Sequence, residues 1–183
     1  MILIEPITSE RLFLRNLYAK DIGQHYLDWM SDPKVLRFLE VRFSAPRSIA
    51  DLRKFVTLMN DSDNELLLGI YLKKSETHIG NIKLGPISRQ HNRADLGFII
   101  GEKAAWGKGY ATEAISTVTK FALTQLKLSK VSAGCYSGNL GSARSLEKAG
   151  FHLEGHLRGH WEVDGERDDG FVYGILANSY IEV

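Results

Sequence analysis

Trp106-Gly107-Lys108-Gly109-Tyr110-Ala111-Thr112-Glu113-Ala114 is a glycine-rich turn that runs straight into a helix. Its two glycines admit backbone conformations, and a close approach of ligand to backbone, that side chains block. The first amides of the following helix lack internal partners, and the positive end of the helix dipole lies beside them. Together these features suit phosphate oxygens. The turn therefore points to a ligand that carries a phosphate or pyrophosphate. It is not a P-loop, because Lys108 is followed by Gly109 rather than by Ser or Thr. It is not a Rossmann fingerprint either: Thr112 stands at the third glycine position, and Gly101-Glu102-Lys103 separates the turn from the strand-like run 95–100. Alone, such a turn is more often a surface helix start.

Outward from the turn, strands and helices alternate. Upstream, 11–17 alternates as a strand, 20–30 has helical spacing, and a short helical turn spans 35–39. Ser48-Ile49-Ala50-Asp51 resembles a helix start. Leu52, Phe55, Val56 and Met59 give that helix one apolar face. Strands are expected at 66–72, 78–84 and 94–100. Downstream, the helix from Tyr110 to about Leu126 precedes a strand at 130–136 and a helix at 139–149. Gly150 suits a left-handed helix cap, with Phe151 packing behind it. Strands at 152–163 and 171–176 follow, with Asp164-Gly165 as the turn between them.

The 183 residues suit one domain spanning 1–183. Apolar residues make up 44% and charged residues 25%, an ordinary globular balance. No apolar run reaches membrane-span length, and the N-terminus lacks the pattern of a signal peptide. The single cysteine, Cys135, rules out an internal disulfide framework and fits a cytoplasmic protein. A net charge of +1 gives no reason to expect nucleic acid as a partner.

The strand 95–100, the turn Gly107–Ala111 and the helix after it resemble the acetyl-CoA pyrophosphate loop of the GNAT acetyltransferase superfamily. Asn139-Leu140-Gly141-Ser142, followed by Leu146-Glu147-Lys148-Ala149-Gly150-Phe151, resembles the second signature of that family. Leu153-Glu154-Gly155 and Thr8-Ser9-Glu10-Arg11-Leu12-Phe13-Leu14-Arg15 resemble the branch of ribosomal-protein N-terminal and spermidine acetyltransferases. The resemblance runs over nearly the whole chain. It implies a mixed α/β (α+β) GNAT fold, in which a strongly twisted sheet of about seven strands is flanked by helices. It places acetyl-CoA, a co-substrate, at splayed central strands, and requires no metal.

The implied reaction is direct attack of an amine on acetyl-CoA. The acceptor is expected to be a protein N-terminal α-amine. A nucleotide amino sugar, an aminoglycoside or a polyamine is the alternative, and a non-catalytic acyl-CoA-binding module is a further one. A homodimer is left open. The resemblance assigns the pyrophosphate to Gly107, Lys108, Gly109, Tyr110, Ala111 and Thr112, mainly through backbone amides. Trp106 stands where the family usually carries Gln or Arg. Phe98, Ile99 and Ile100 fall on the strand that pairs with the pantetheine arm. Asn139 matches the pantetheine-contacting asparagine, and it is equally well read as a helix cap.

Direct transfer needs a base for the amine and an acid for the thiolate. Many members place a tyrosine seven positions after the asparagine, where this chain has Leu146. The branch's serine three positions after it is matched by Ser142, with Tyr136 as an alternative. A serine there also reads as a cap. For the base, Asp95 ranks first, near a strand glutamate of the family, and Glu162 second. The branch's own glutamate aligns on Trp161, and removal of the proton by water is the third option. His78 reads as structural. Glu40 and Arg42 are the candidate acceptor-binding residues; the plain alternative is a solvated loop. Asp169 and Tyr173 match recurrent branch positions.

Overall fold

Strand β3 (Leu66–Leu72) is apolar along its length, and six of its seven residues are buried. Such a strand needs cover on both faces of its sheet. Leu66, Leu68 and Ile70 join one apolar cluster, while Leu67 and Tyr71 join a second on the opposite face. The computed structural model describes residues 1–180; the last three residues of the expected 1–183 domain lie outside the described residues.

Among the described residues the sheet has eight strands, in the order β1-β2-β3-β4-β5-β6-β8-β7. The remaining strands are β1 (Ile7–Thr8), β2 (Leu12–Asn16), β4 (His78–Ser88), β5 (Arg93–Ile100), β6 (Lys130–Tyr136), β7 (His152–Val163) and β8 (Glu166–Leu176). Neighbours are antiparallel except β5 and β6. One face is covered by α4 (Tyr110–Thr124) and α5 (Leu140–Lys148). Ile115 and Val118 of α4 are fully buried there, contributing about 2 kcal/mol each. The other face is covered by α1 (Gln24–Trp29), α2 (Pro33–Leu36) and α3 (Ile49–Asp61). Among the described residues, no helix is long and apolar enough to cross a membrane.

Local chemistry sets several boundaries. Ser48 caps α3 by accepting from the Asp51 amide, and Asn139 caps α5 by accepting from the Ser142 amide at 3.1 Å. Gly150 takes φ +90 after α5, and buried Phe151 donates its amide to the Leu146 carbonyl.

The sequence and the structure differ in four places. The expected helix over 20–30 splits at extended Gly23 into a 3-10 turn, Ala19–Asp21, and α1. The Asp21 carboxylate accepts from the Tyr18 amide and pairs with Arg15, which closes that turn on itself. The strand expected at 78–84 continues to Ser88 after a register shift beyond Leu84. β8 starts at Glu166 rather than Phe171, because Asp164 and Gly165 both adopt positive φ and zip Val163 directly onto Glu166. β1 makes the count eight rather than seven.

Candidate active site

β5 and β6 are hydrogen-bonded only where Arg93–Asp95 meet Lys130–Ser132. Beyond Asp95 the two strands diverge. The opening leaves a cleft of about 780 Å³ between Leu96–Ile100 on one side and Gly134–Tyr136 on the other. Phe98, Ile99, Ile100, Asn139 and Ser142 all line it. One end is closed by the glycine turn, whose Gly107, Gly109, Tyr110, Ala111 and Thr112 also line the cleft.

The turn is built to expose backbone. Gly107 and Gly109 have φ of 72° and 80°, a region L side chains rarely adopt, and Gly109 directly precedes α4. A Cβ at Gly107 would meet nothing within 4 Å, so ligand space reaches the main chain. Arg11 holds the turn from behind. It pairs with Glu113 at 2.7 Å, donates to the Lys108 carbonyl at 3.0 Å and lies 4.6 Å from the centre of the Tyr110 ring. Trp106 sends its indole N–H back to the Ile100 carbonyl at 2.7 Å, tying the turn to the end of β5. Lys108 is the exception among the turn residues: its side chain is exposed and does not line the cleft. Among the described residues, the cations that do line it are Lys34, Arg144 and Lys148, against the single carboxylate of Glu40. Open backbone, a helix N-terminus and three cations fit the phosphates of acetyl-CoA.

Cys135 also borders the cleft, but burial pushes its thiol pKa up to about 11, so it stays protonated and is no nucleophile.

Tyr136, at the end of β6, is 4% exposed and lines the cofactor cleft. Its hydroxyl donates a short hydrogen bond to Glu40 and accepts from Arg42 Nη1 at 2.8 Å. Its ring stacks on Trp161 with centroids 4.9 Å apart. Burial raises the Tyr136 pKa, and the Glu40 carboxylate raises it further, so the phenol holds its proton. Arg42 also donates to the Leu39 carbonyl at 2.9 Å and the Glu162 carbonyl at 2.6 Å. Glu40 is exposed but tethered to Tyr136, and Arg42, largely buried, binds the segment after α2 to β6 and β7.

The other catalytic candidates sit differently. Asp95 lies at the last zipped position of β5, outside the cleft lining, and pairs with Arg93 at 3.1 Å. Glu162 is exposed and also outside the lining; only its carbonyl faces inward, onto Arg42. Trp161, where the branch's glutamate aligns, lines the cleft but has no basic group. Asp169 accepts from His156 and from the Gly159 amide, and Tyr173 donates to Glu147 at 3.1 Å, so both fix the last hairpin and its neighbour α5.

A second cleft, about 1440 Å³, lies on the other side of β5 and shares Leu39, Glu40, Gly97, Phe98 and Ile99 with the first. A Cβ at Gly97 would meet nothing within 4 Å, so the shared floor is bare. Phe43 and Phe55 are exposed at its rim. Its charged residues are Arg42, Arg47 and Lys83 against Glu40 and Asp51. Sequence reasoning missed Asn81, which lines this cleft and is 3% exposed. Asn81 Oδ1 bonds His78 Nε2 at 2.9 Å, and His78 Nδ1 bonds His25 Nε2 at 3.1 Å. An Asn three residues after a His on an apolar strand is the only signal the sequence holds for this chain of bonds.

Two clefts meet at one splayed strand; the first is rich in phosphate-binding groups and carries the Tyr136 phenol, and the Glu40 carboxylate lies in both, an arrangement that fits a two-substrate group-transfer enzyme. Residues 11–152 match the family described as acetyltransferase (GNAT) domain. The chain belongs to the GNAT family and is an acetyl-CoA-dependent N-acetyltransferase. It is 27% identical to the uncharacterized N-acetyltransferase p20 of Bacillus licheniformis, over 97% of this chain and 99% of that one. It is 31% identical to the uncharacterized N-acetyltransferase YoaA of Bacillus subtilis, over 93% and 96% respectively. In fold it is similar to spermidine N-acetyltransferase from Vibrio cholerae, solved with CoA and spermine. That likeness has a TM-score of 0.81 and 23% identity, covering 93% of this chain and 98% of that one.

Proposed function

We propose that this enzyme acetylates the N-terminal α-amine of a polypeptide. The observation that carries this reading is the acceptor cleft. It is wide, its rim exposes Phe43 and Phe55, and its cations outnumber its carboxylates. Exposed aromatic rims suit peptide side chains, whose burial stabilises a complex. A polyamine carries several positive charges; Lys83 and Arg42 are paired with Glu65 and Glu40, and Arg47 is the lining cation that disfavours it. One of the relatives bears a ribosomal N-acetyltransferase name, YdaF of Bacillus subtilis, 29% identical over 55% of this chain. One observation favours a second acceptor class. Arg47 has no ion pair among the described residues, and it could meet the phosphate of a nucleotide-linked amino sugar.

In this reading acetyl-CoA supplies the activated acetyl group. Gly107, Gly109 and the first amides of α4 hold its pyrophosphate, and Lys34, Arg144 and Lys148 attract its remaining phosphate charge. Phe98–Ile100 offer free strand edge to the pantetheine arm, and Asn139 and Ser142 border it. Glu40 receives the acceptor ammonium at the junction. We further propose that residues 1–183 work as one domain, because both apolar clusters pack on a single sheet.

The test measures release of CoA thiol from acetyl-CoA with two acceptor pools. One holds short peptides with free Ser, Ala or Met N-termini; the other holds nucleotide amino sugars, aminoglycosides and polyamines. Turnover with peptides is expected. Turnover confined to the small amines would sink the peptide reading, and activity with the amino sugars alone would establish the second.

A further inference from the structure

We propose that Glu40 and Tyr136 are a coupled base and acid, with Arg42 as their positioning residue. This rests on the acetyl-transfer reading above but not on which amine is the acceptor.

The proton balance defines what such a couple must do. A bound ammonium has to lose one proton before its nitrogen can attack. It loses a second as the new N–C bond forms and the C–S bond breaks. The departing sulfur gains one. Glu40 is placed for both losses: it lines the two clefts, and its side chain is 57% exposed, so the first proton can pass to water. The second passes from nitrogen to Glu40. Tyr136 gives its own proton to the sulfur and takes the one held by Glu40 through their existing hydrogen bond. One proton leaves to solvent, one ends on the thiol, and both side chains return to their starting forms.

The geometry around the phenol serves that exchange. Leu146, at the position where the family's acid is expected, is fully buried in the core and has no proton to give. Arg42 Nη1 donates to the Tyr136 oxygen, which steadies negative charge on that oxygen while its proton is given up and replaced. Trp161 and Phe38 hold the ring at 4.9 and 5.8 Å. The other charged groups near this point are engaged elsewhere or at the rim. Asp168 of β8 accepts from Ser137 and the Gly138 amide. Glu162 of β7 presents only its carbonyl, and Lys34 lies at the cleft edge. The thiol of Cys135, the preceding residue on β6, is protonated.

The experiment compares the full-length enzyme with Tyr136→Phe, Glu40→Gln and the double variant, using whichever amine turns over. A change of acceptor class therefore leaves the comparison intact. Tyr136→Phe keeps the stacked ring, and Glu40→Gln keeps an oxygen acceptor. Each should lower kcat about 100-fold, within the usual range for one proton-transfer group. Acetyl-CoA affinity by calorimetry should stay within about twofold, since neither group is assigned to phosphate binding. The double variant should be no slower than the worse single one, because the two act as a unit. Tyr136→Phe retaining wild-type kcat would overturn the proposal. So would a double variant whose loss is the product of the singles, an acetyl-CoA affinity that falls in step with rate, or a greater loss in Ser142→Ala than in Tyr136→Phe.

Discussion

Two polar clusters flank the second cleft, and they differ in how much water reaches them. Glu40, Arg42 and Tyr136 sit at the junction of the clefts, with Glu40 in contact with solvent. His25, His78 and Asn81 sit at the other side, where His78 is packed between Tyr71 and Trp29 at centroid distances of 4.8 and 4.9 Å. Both clusters are hydrogen-bonded chains of three residues. In the first, a carboxylate and a guanidinium share one phenol. In the second, burial removes charge: it pushes the His78 pKa down to about 4, so this imidazole is neutral at physiological pH. The first, open to water, is the one to which the proposal assigns proton transfer; the second ties α1 to β4. Polar residues lining a cleft are thus sorted by access to water and to an opposite charge, not by residue type.

The contrast is sharpened most by acid. His78 takes up a proton at its ordinary pKa of 6.5 when the chain unfolds, but only near 4 when folded. The unfolded chain therefore binds more protons between those values. The stabilisation is complete above pH 6.5 and is lost progressively as pH falls toward 4. That is about 3 kcal/mol at 1.36 kcal/mol per unit. His78→Phe keeps a ring against Tyr71 and Trp29 but cannot titrate. It should flatten this portion of the stability–pH curve, measured by urea unfolding at several pH values. An unchanged slope in the variant would show that His78 is not the buried titrating group.

A smaller effect should come from Arg42. Arg42→Gln removes the charged bond to Tyr136 and the link to the Glu162 carbonyl, while keeping a polar side chain. A hydrogen bond to a charged group contributes about 1.5 kcal/mol, so kcat should fall roughly tenfold. The KM for acetyl-CoA should hold, and Arg42→Lys should restore only a fraction of the rate, since an ammonium lacks the planar fork. A variant with normal kcat and a raised acceptor KM would make Arg42 an acceptor-binding residue instead.

The cofactor cleft is readable in the sequence because it is made of backbone. A left-handed turn demands Gly107 and Gly109, and a helix start demands a cap such as Asn139, so chemistry of this kind leaves its residue types at fixed spacing. The junction is not readable as a unit. Glu40 and Tyr136 lie 96 residues apart, and only the packing of the segment after α2 against β6 brings them together. The same limit applies to Lys108, whose backbone belongs to the turn while its side chain faces water. His78 reads as structural for a local reason: it stands on a strand, where an imidazole is more often packed than catalytic, and the structure buries it against Tyr71 and Trp29.

The smallest effect is expected at Asp95, the residue whose strand position makes it the first candidate base. Sequence alone does not locate the last paired residue of β5. The strands separate immediately afterwards, at Leu96, and leave Asp95 zipped opposite Ser132. Its carboxylate is half exposed and meets Arg93, also half exposed. A surface pair of this kind contributes about 0.5 kcal/mol. Asp95→Asn should therefore leave kcat and its pH profile in place and shift urea unfolding by no more than that pair. A loss of rate comparable to that of Glu40→Gln would mean that the acceptor amine reaches the zipped end of β5. The base would then lie on the strand, and Glu40 and Tyr136 would be a structural pair like His78 and Asn81.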